Sequence, residues 1–168
     1  MTAKRLHRIF TPAIPAQARN ISTKSGTARC ENPFLDGYAL HYRYKIDENL
    51  LDKAAQAYVG RHDFTSFCTL DNREKGDMTR NVKAFSVTRE GDLVTMKVEA
   101  DGFLYNMVRI MVGTLLRIQQ GKIAPDEIPS IIEKKNRKYS GPTAQACGLY
   151  LNRVNYENDN SSQKRSER

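Results

Sequence analysis

The stretch DGFLYNMVRIMVGTLLRI, residues 101–118, constrains the fold of this chain more than any other. Its apolar residues run almost all the way round a helical projection, so a helix here needs cover on most sides. In a chain of 168 residues that calls for one domain with a sizeable core, built over the helix by other elements. Arg109 stands near the middle of the run. A guanidinium keeps its charge at any ordinary pH and is almost never fully buried without a partner. The segment therefore predicts both a central helix and an acceptor for Arg109. On the residues alone that acceptor is water, reached by a snorkelling side chain, or a carboxylate such as Asp63 or Glu99.

The flanking sequence supplies the cover. GYALHYRYKI (37–46) has a strand-like centre, and DENLLDKAAQAYVG carries Leu50, Leu51, Ala54, Ala55, Tyr58 and Val59 at helical spacing before Gly60 stops it. RHDFTSF reads as a short link and LDNREKGDMTR as a polar loop. NVKAFSVTREGDLVTMKVEA alternates on both sides of REGD, which predicts a hairpin with Phe85, Val87, Val94, Met96 and Val98 on one face. Gln-Gln-Gly ends the long helix. APDEIPSIIEKKN predicts a short second one, with Pro125 near its first turn and lysines near its end. GPTAQACGLYLNRVNY closes as a loop and a strand. The expected class is α+β: a largely antiparallel sheet with helices packed on one face.

Lysine and arginine outnumber aspartate and glutamate by 27 to 19, a net charge of +8. Such an excess favours an acidic partner, most simply nucleic acid. Arg61, Arg73, Lys75, Arg80 and Lys83 are candidate phosphate contacts, as are Lys134, Lys135, Arg137 and Lys138, none ranked above another. Charge runs of this kind are also ordinary solvated faces. Cys30, Cys68 and Cys147 are widely spaced, with no CxxC and no metal-ligand spacing, which suits structural thiols in a reducing compartment. No apolar run approaches the roughly 20 residues of a membrane span, and the basic N-terminus has no signal-like apolar region. These features point to the cytoplasm and away from a membrane. His62–Asp63 has the look of a dyad, but neighbours on an extended segment point apart. Ser66 and Cys68 have no evident base for nucleophilic catalysis, and Gly113 reads as a site of close packing.

RHDFTSF, the hairpin, FLYNMVRIMVGTLL and the closing TAQACGLYL, in this order and spacing, resemble the C-terminal half of TruA-type tRNA pseudouridine synthases. The resemblance runs from about Asn32 to Tyr156. It implies the C-terminal subdomain of the pseudouridine synthase fold and an enzyme that isomerises uridine to pseudouridine in the tRNA anticodon stem-loop. It also implies no cofactor, no metal and a homodimer. In that family an Asp on a GRTD-like loop acts on the flipped-out nucleotide, and a Tyr from a K-x-Y-x-Y strand stacks on the uracil. The Arg of MVR pairs with the Asp, and the first Leu of GLYL lines the pocket. Carried over, the last two are Arg109 and Leu149. The resemblance thus gives Arg109 a carboxylate to orient and keep ionised. This sequence contains no RTD. A fragment without the catalytic Asp and the stacking Tyr is expected to be inactive alone, with the N-terminal half as a partner in trans. A non-catalytic RNA-binding module is the alternative.

The first 31 residues show neither helical nor strand periodicity. Where the family has its K-x-Y-x-Y strand, this chain has RNISTKSGT (19–27). One permitted codon set for it is AGA AAT ATC TCT ACA AAA TCT GGA ACA, and dropping two bases translates it as KYLYKIWN. Upstream, HRIFTPAI can encode PDFHARYS in the same shifted frame, similar to the family's F-H-A-R-F-S segment. The expectation is therefore of an out-of-frame segment from about His7 to Glu31. The chain divides accordingly into a disordered 1–31, a synthase domain over 32–156 and a polar disordered tail over 157–168. Loss of the native strand would leave a sheet edge unpaired.

Overall fold

The computed structural model describes residues 6–15, 37–69 and 76–156, with the backbone alone over 6–15 and 153–156. Its strands are β1 (Leu6–Pro15), β2 (Gly60–Asp63), β3 (Thr79–Glu90), β4 (Leu93–Ala100) and β5 (Leu149–Tyr156). Its helices are α1 (Glu48–Ala55), α2 (Met107–Gln119) and α3 (Ile128–Glu133). All strand pairs are antiparallel, in the order β2-β3-β4-β1-β5. The class is α+β, as the element pattern predicts.

The hairpin forms where alternation places it. Phe85 pairs with Val98 and Val87 with Met96 across β3 and β4, and all four are buried. A register shift between Val82 and Ala84 leaves Lys83 as the extra residue of a bulge. That bulge lets Val82 and Phe85, three apart, both face the core. α2 crosses this face, and ten of its thirteen residues are buried. α1 starts at Asp47, whose side chain accepts from the Asn49 and Leu50 amides at 3.1 Å each. It buries Leu51, Ala54 and Ala55, and Tyr58 follows with its ring 5.2 Å from Phe67 and 5.8 Å from Phe85.

Four expectations need correction. Residues 37–46 are turns and bends with a single bridge at Tyr42 rather than a strand. Their apolar members Ala39, Leu40, Tyr42 and Ile46 are all buried, and the Tyr42 hydroxyl donates to the Leu116 carbonyl near the end of α2 at 3.4 Å. RHDFTSF is more than a link: it supplies edge strand β2 and a tight turn over Thr65–Phe67. α3 begins at Ile128, so Pro129 occupies its first turn and Pro125 lies in the turn before it.

The fourth concerns the first 31 residues. Leu6–Pro15 is a strand inserted between β4 and β5, so the β4 edge is paired rather than open. Strand pairing uses main-chain groups, and a stretch without alternation can still fill a vacant lane of a sheet. It fills it imperfectly: Pro12 and Pro15 bring no amide proton, and the register against β5 shifts between Ile9 and Phe10. Expectations for residues 1–5, 16–36 and 157–168 lie outside the described residues.

Candidate active site and nucleic-acid interface

α2 opens at Asn106, which takes a left-handed backbone conformation with φ 61°. Asparagine tolerates that region better than most residues with a Cβ. Its side chain then works in two directions. The amide nitrogen donates to the Thr69 hydroxyl at 3.2 Å, and the oxygen accepts from Arg109 Nη1 at 3.0 Å. Arg109 Nε donates to the Ala144 carbonyl at 2.7 Å. In return the Ala144 amide donates to the Arg109 carbonyl at 3.1 Å.

Arg109 is thus half-buried and held by neutral oxygens. Among the described residues it meets neither Asp63 nor Glu99. Asp63 is engaged elsewhere: its carboxylate accepts from the Thr65 amide at 3.0 Å and from the Thr65 hydroxyl, and pairs with Lys135 at 2.9 Å. Burial pushes the Asp63 carboxyl up, but those Thr65 and Lys135 interactions outweigh it and hold the group below the usual aspartate range. His62 Nε2 turns the other way, toward the Val59 carbonyl at 3.1 Å. The two neighbours form no dyad.

Ala144 belongs to a strap, residues 139–145, that runs back along α2. Gly141 donates its amide to Thr114 Oγ1 at 2.9 Å, and Thr114 donates its own proton to the Ile110 carbonyl at 2.8 Å. Arg109, Gly113 and Arg117 succeed one another at four-residue intervals, so they share the helix face that the strap covers. Gly113 is the contact point, as its place in the helix suggests: a Cβ there would sit 1.7 Å from the Pro142 carbonyl oxygen. After the strap, the Leu149 amide donates to the Ala146 carbonyl at 3.2 Å. Leu149 enters β5 half-buried against the core. Segment 144–149 therefore connects the Arg109 contact directly to Leu149.

Ser66 and Cys68 are buried, and Ser66 is structural: its hydroxyl donates to the Ile131 carbonyl at 2.6 Å and accepts the Asn136 amide at 2.8 Å. Of the phosphate-contact candidates, Arg61 is exposed on β2, next to the β3 residues that carry Arg80. Arg80 is half-buried and donates to the Asp77 and Thr79 carbonyls at 2.7 and 2.8 Å. Lys83 is exposed at the bulge. Arg73 and Lys75 lie outside the described residues. Among the described residues no cluster of three or more metal-ligating side chains occurs, and no helix is long and apolar enough to cross a membrane.

Strands β2 to β5, the α2 helix with its arginine, and the strap leading into Leu149 fall inside the region that a model of the tRNA pseudouridine synthase family matches, residues 54–157, whereas β1 lies outside it. The chain belongs to that family. It is 43% identical over 125 residues to tRNA pseudouridine synthase A 1 of Bacillus cereus, covering 74% of this chain and 50% of the relative. It is 42% identical over 132 residues to tRNA pseudouridine synthase A of Bacillus subtilis, covering 79% and 53%. Against tRNA pseudouridine synthase A of Bacillus pumilus it is 37% identical over 158 residues, covering 94% and 64%. An alignment of that last length reaches into the first 31 residues. The chain spans about half the length of most of these relatives.

Proposed function

We propose that this chain is the C-terminal portion of a tRNA pseudouridine synthase acting on uridine in the anticodon stem-loop. In that reaction uracil is released from its N1 glycosidic bond and rejoined through C5, so no atom is gained or lost and no cofactor is required. Arg109 supports this reading most directly. It stands at the family's MVR position, ordered by Asn106 and Ala144, with neutral acceptors alone among the described residues. A guanidinium held by neutral oxygens has no counter-charge among the described residues and suits a carboxylate partner. The Asp comes from the N-terminal half, contributed in trans, and the Arg109 pair keeps it ionised. Leu149 lines the pocket for the flipped base. Arg61, Arg80 and Lys83, together with Arg73 and Lys75, contact the tRNA backbone, in the homodimer and cytoplasmic setting of the family.

By this reading the chain alone binds tRNA and makes no pseudouridine, because general acid–base and nucleophilic work at the uracil need the missing carboxylate. Residues from about His7 to Glu31 are out-of-frame sequence, and 1–31, 32–156 and 157–168 are distinct segments. Sequencing the coding DNA tests the frame: codons incompatible with KYLYKIWN contradict it. Digesting a tRNA transcript after incubation with the chain and counting pseudouridine tests the activity. Binding without product is expected; product from the chain alone contradicts the reading. The second reading, an RNA-binding module without chemistry, is favoured by the same absence of RTD and predicts that no added N-terminal half restores turnover.

A further inference from the structure

Beyond Arg109, the same helix face leads to a second site. α2 ends in paired terminal bonds: the Gly121 amide reaches the Ile118 carbonyl at 2.9 Å and the Lys122 amide the Arg117 carbonyl at 3.0 Å. Gly121 takes φ +68° to make this possible. The reversal folds Lys122 back beside Arg117. Opposite them stands the turn Arg137–Tyr139, which brings Arg137 and Lys138. Together these four cations line a hollow of about 420 Å³, closed on one side by the strap and bordered by Tyr139.

No carboxylate lines this hollow among the described residues. Arg137 donates to Ser140 Oγ at 2.8 Å, the Gly141 carbonyl at 2.7 Å and Thr143 Oγ1 at 3.3 Å, all neutral oxygens. Burial holds its guanidinium below the ordinary arginine value, the direction expected of a desolvated charge without a counter-charge. A helix C-terminus attracts cations by itself, but the macrodipole is worth only about half a negative charge. Here the last carbonyls are already engaged by the terminal amides, and four unit charges remain. Tyr139 is half exposed, with Lys134 Nζ 4.6 Å from its ring centroid, so the mouth carries a further cation and an aromatic face.

We propose that this hollow binds a phosphate of the RNA backbone, away from the target nucleotide. Arg117 lies two helical turns, about 12 Å, from Arg109 on the same strap-covered face. That separation is longer than one nucleotide step along a strand. Arg117 and Lys122 grip the phosphate from the helix side, Arg137 and Lys138 from the strap side, and Tyr139 offers its ring to a neighbouring base. The hollow rests on the reading of the chain as a tRNA-acting protein and adds to it a subsite for the substrate.

The test uses the full chain, an unmodified tRNA transcript, the double variant Lys122→Gln/Lys138→Gln and the control Lys97→Gln on the exposed side of β4. Affinity is measured across a salt series, and inorganic pyrophosphate is added separately while arginine side-chain signals are followed by NMR. The double variant is expected to bind tRNA about tenfold more weakly, with the salt slope smaller by about 1 to 2. Lys97→Gln is expected to match the wild type. Equal losses in both variants, or none in either, overturn the proposal while leaving tRNA binding intact. If the wild type binds no tRNA, the functional reading and the RNA subsite fail together; pyrophosphate shifting Arg117 and Arg137 then marks a site for free phosphate instead. Should Lys122→Gln/Lys138→Gln unfold, Arg117→Lys, which keeps the charge and loses the planar fork, is the substitute, with a several-fold loss expected and no loss contradicting the site.

Discussion

Gly113 of α2 and Gly141 of the strap touch backbone to backbone: a Cβ on Gly141 would lie 2.6 Å from the Gly113 carbonyl carbon and oxygen. This contact sets how deeply the strap seats. Three residues further on, the strap delivers the Ala144 carbonyl to Arg109. Backbone packing in the middle of α2 and the orientation of its arginine are therefore one feature.

Gly113→Ala is expected to destabilise by roughly 3 kcal/mol, because the new methyl meets a backbone carbonyl that cannot rotate away. Gly76→Ala, where a Cβ meets nothing within 4 Å, is expected to be neutral. Urea titration of both variants checks the pair. A neutral Gly113→Ala would show that the strap is not seated on α2.

Asn106 separates conformation from bonding. Asn106→Ala loses both side-chain bonds and leaves at φ 61° a residue that tolerates the left-handed region less well than asparagine, at a cost of about 1–3 kcal/mol. Asn106→Gly removes the bonds and relieves the backbone, so it is expected to be the more stable of the two. In both, the Arg109 Nη1 signal should move toward that of a solvated arginine, while Nε keeps its bond to the Ala144 carbonyl.

Tyr58 is fully buried, and its hydroxyl finds no partner at hydrogen-bonding distance among the described residues. Burial pushes its phenol strongly up, only weakly opposed by the nearby Thr114. Tyr58→Phe removes an unsatisfied polar atom and keeps the ring contacts. The melting temperature is expected to hold or rise; a fall of several degrees would reveal a bond to Thr114 in solution.

Asp63 gives an acid limb to stability. Its carboxyl is held below the usual value in the folded chain, so its contribution is present above the unfolded value of about 3.9 and is lost as pH falls through the folded one. Asp63→Asn should flatten the stability profile below about pH 4. Lys135→Gln should move the Asp63 titration upward, read from its carboxyl carbon shift. No movement would mean that the Lys135 contact is fully screened.

Much of this was legible in the sequence because it is local. The all-apolar period of 101–118 announces α2, and alternation around REGD announces the β3–β4 hairpin with its buried face. The strap was not legible: GPTAQA has no period, and its order comes from Gly113, Thr114 and Arg109, far earlier in the chain. Residues 37–46 read as a strand because their apolar positions suit one, but those side chains are buried in the common core without strand pairing beyond the bridge at Tyr42. Leu6–Pro15 pairs through its backbone, which composition does not report. Nothing in the sequence singles out Arg117 and Lys122; only the turn at Gly121 and the return of the chain at Arg137 face them with other cations.

The most direct measurement mixes this chain with the N-terminal half of a relative carrying the GRTD loop and follows tritium release from tRNA labelled at C5 of uridine. Release requires the C5–H bond to break as the new glycosidic bond forms. Neither part alone should release tritium, the mixture should, and Arg109→Met should lower the rate of the mixture by at least about a hundredfold, the scale of a lost charge-assisted contact in a catalytic site. Release by this chain alone, or an Arg109→Met mixture as fast as the wild type, would contradict the assignment of Arg109 as the partner of a carboxylate supplied from outside the chain.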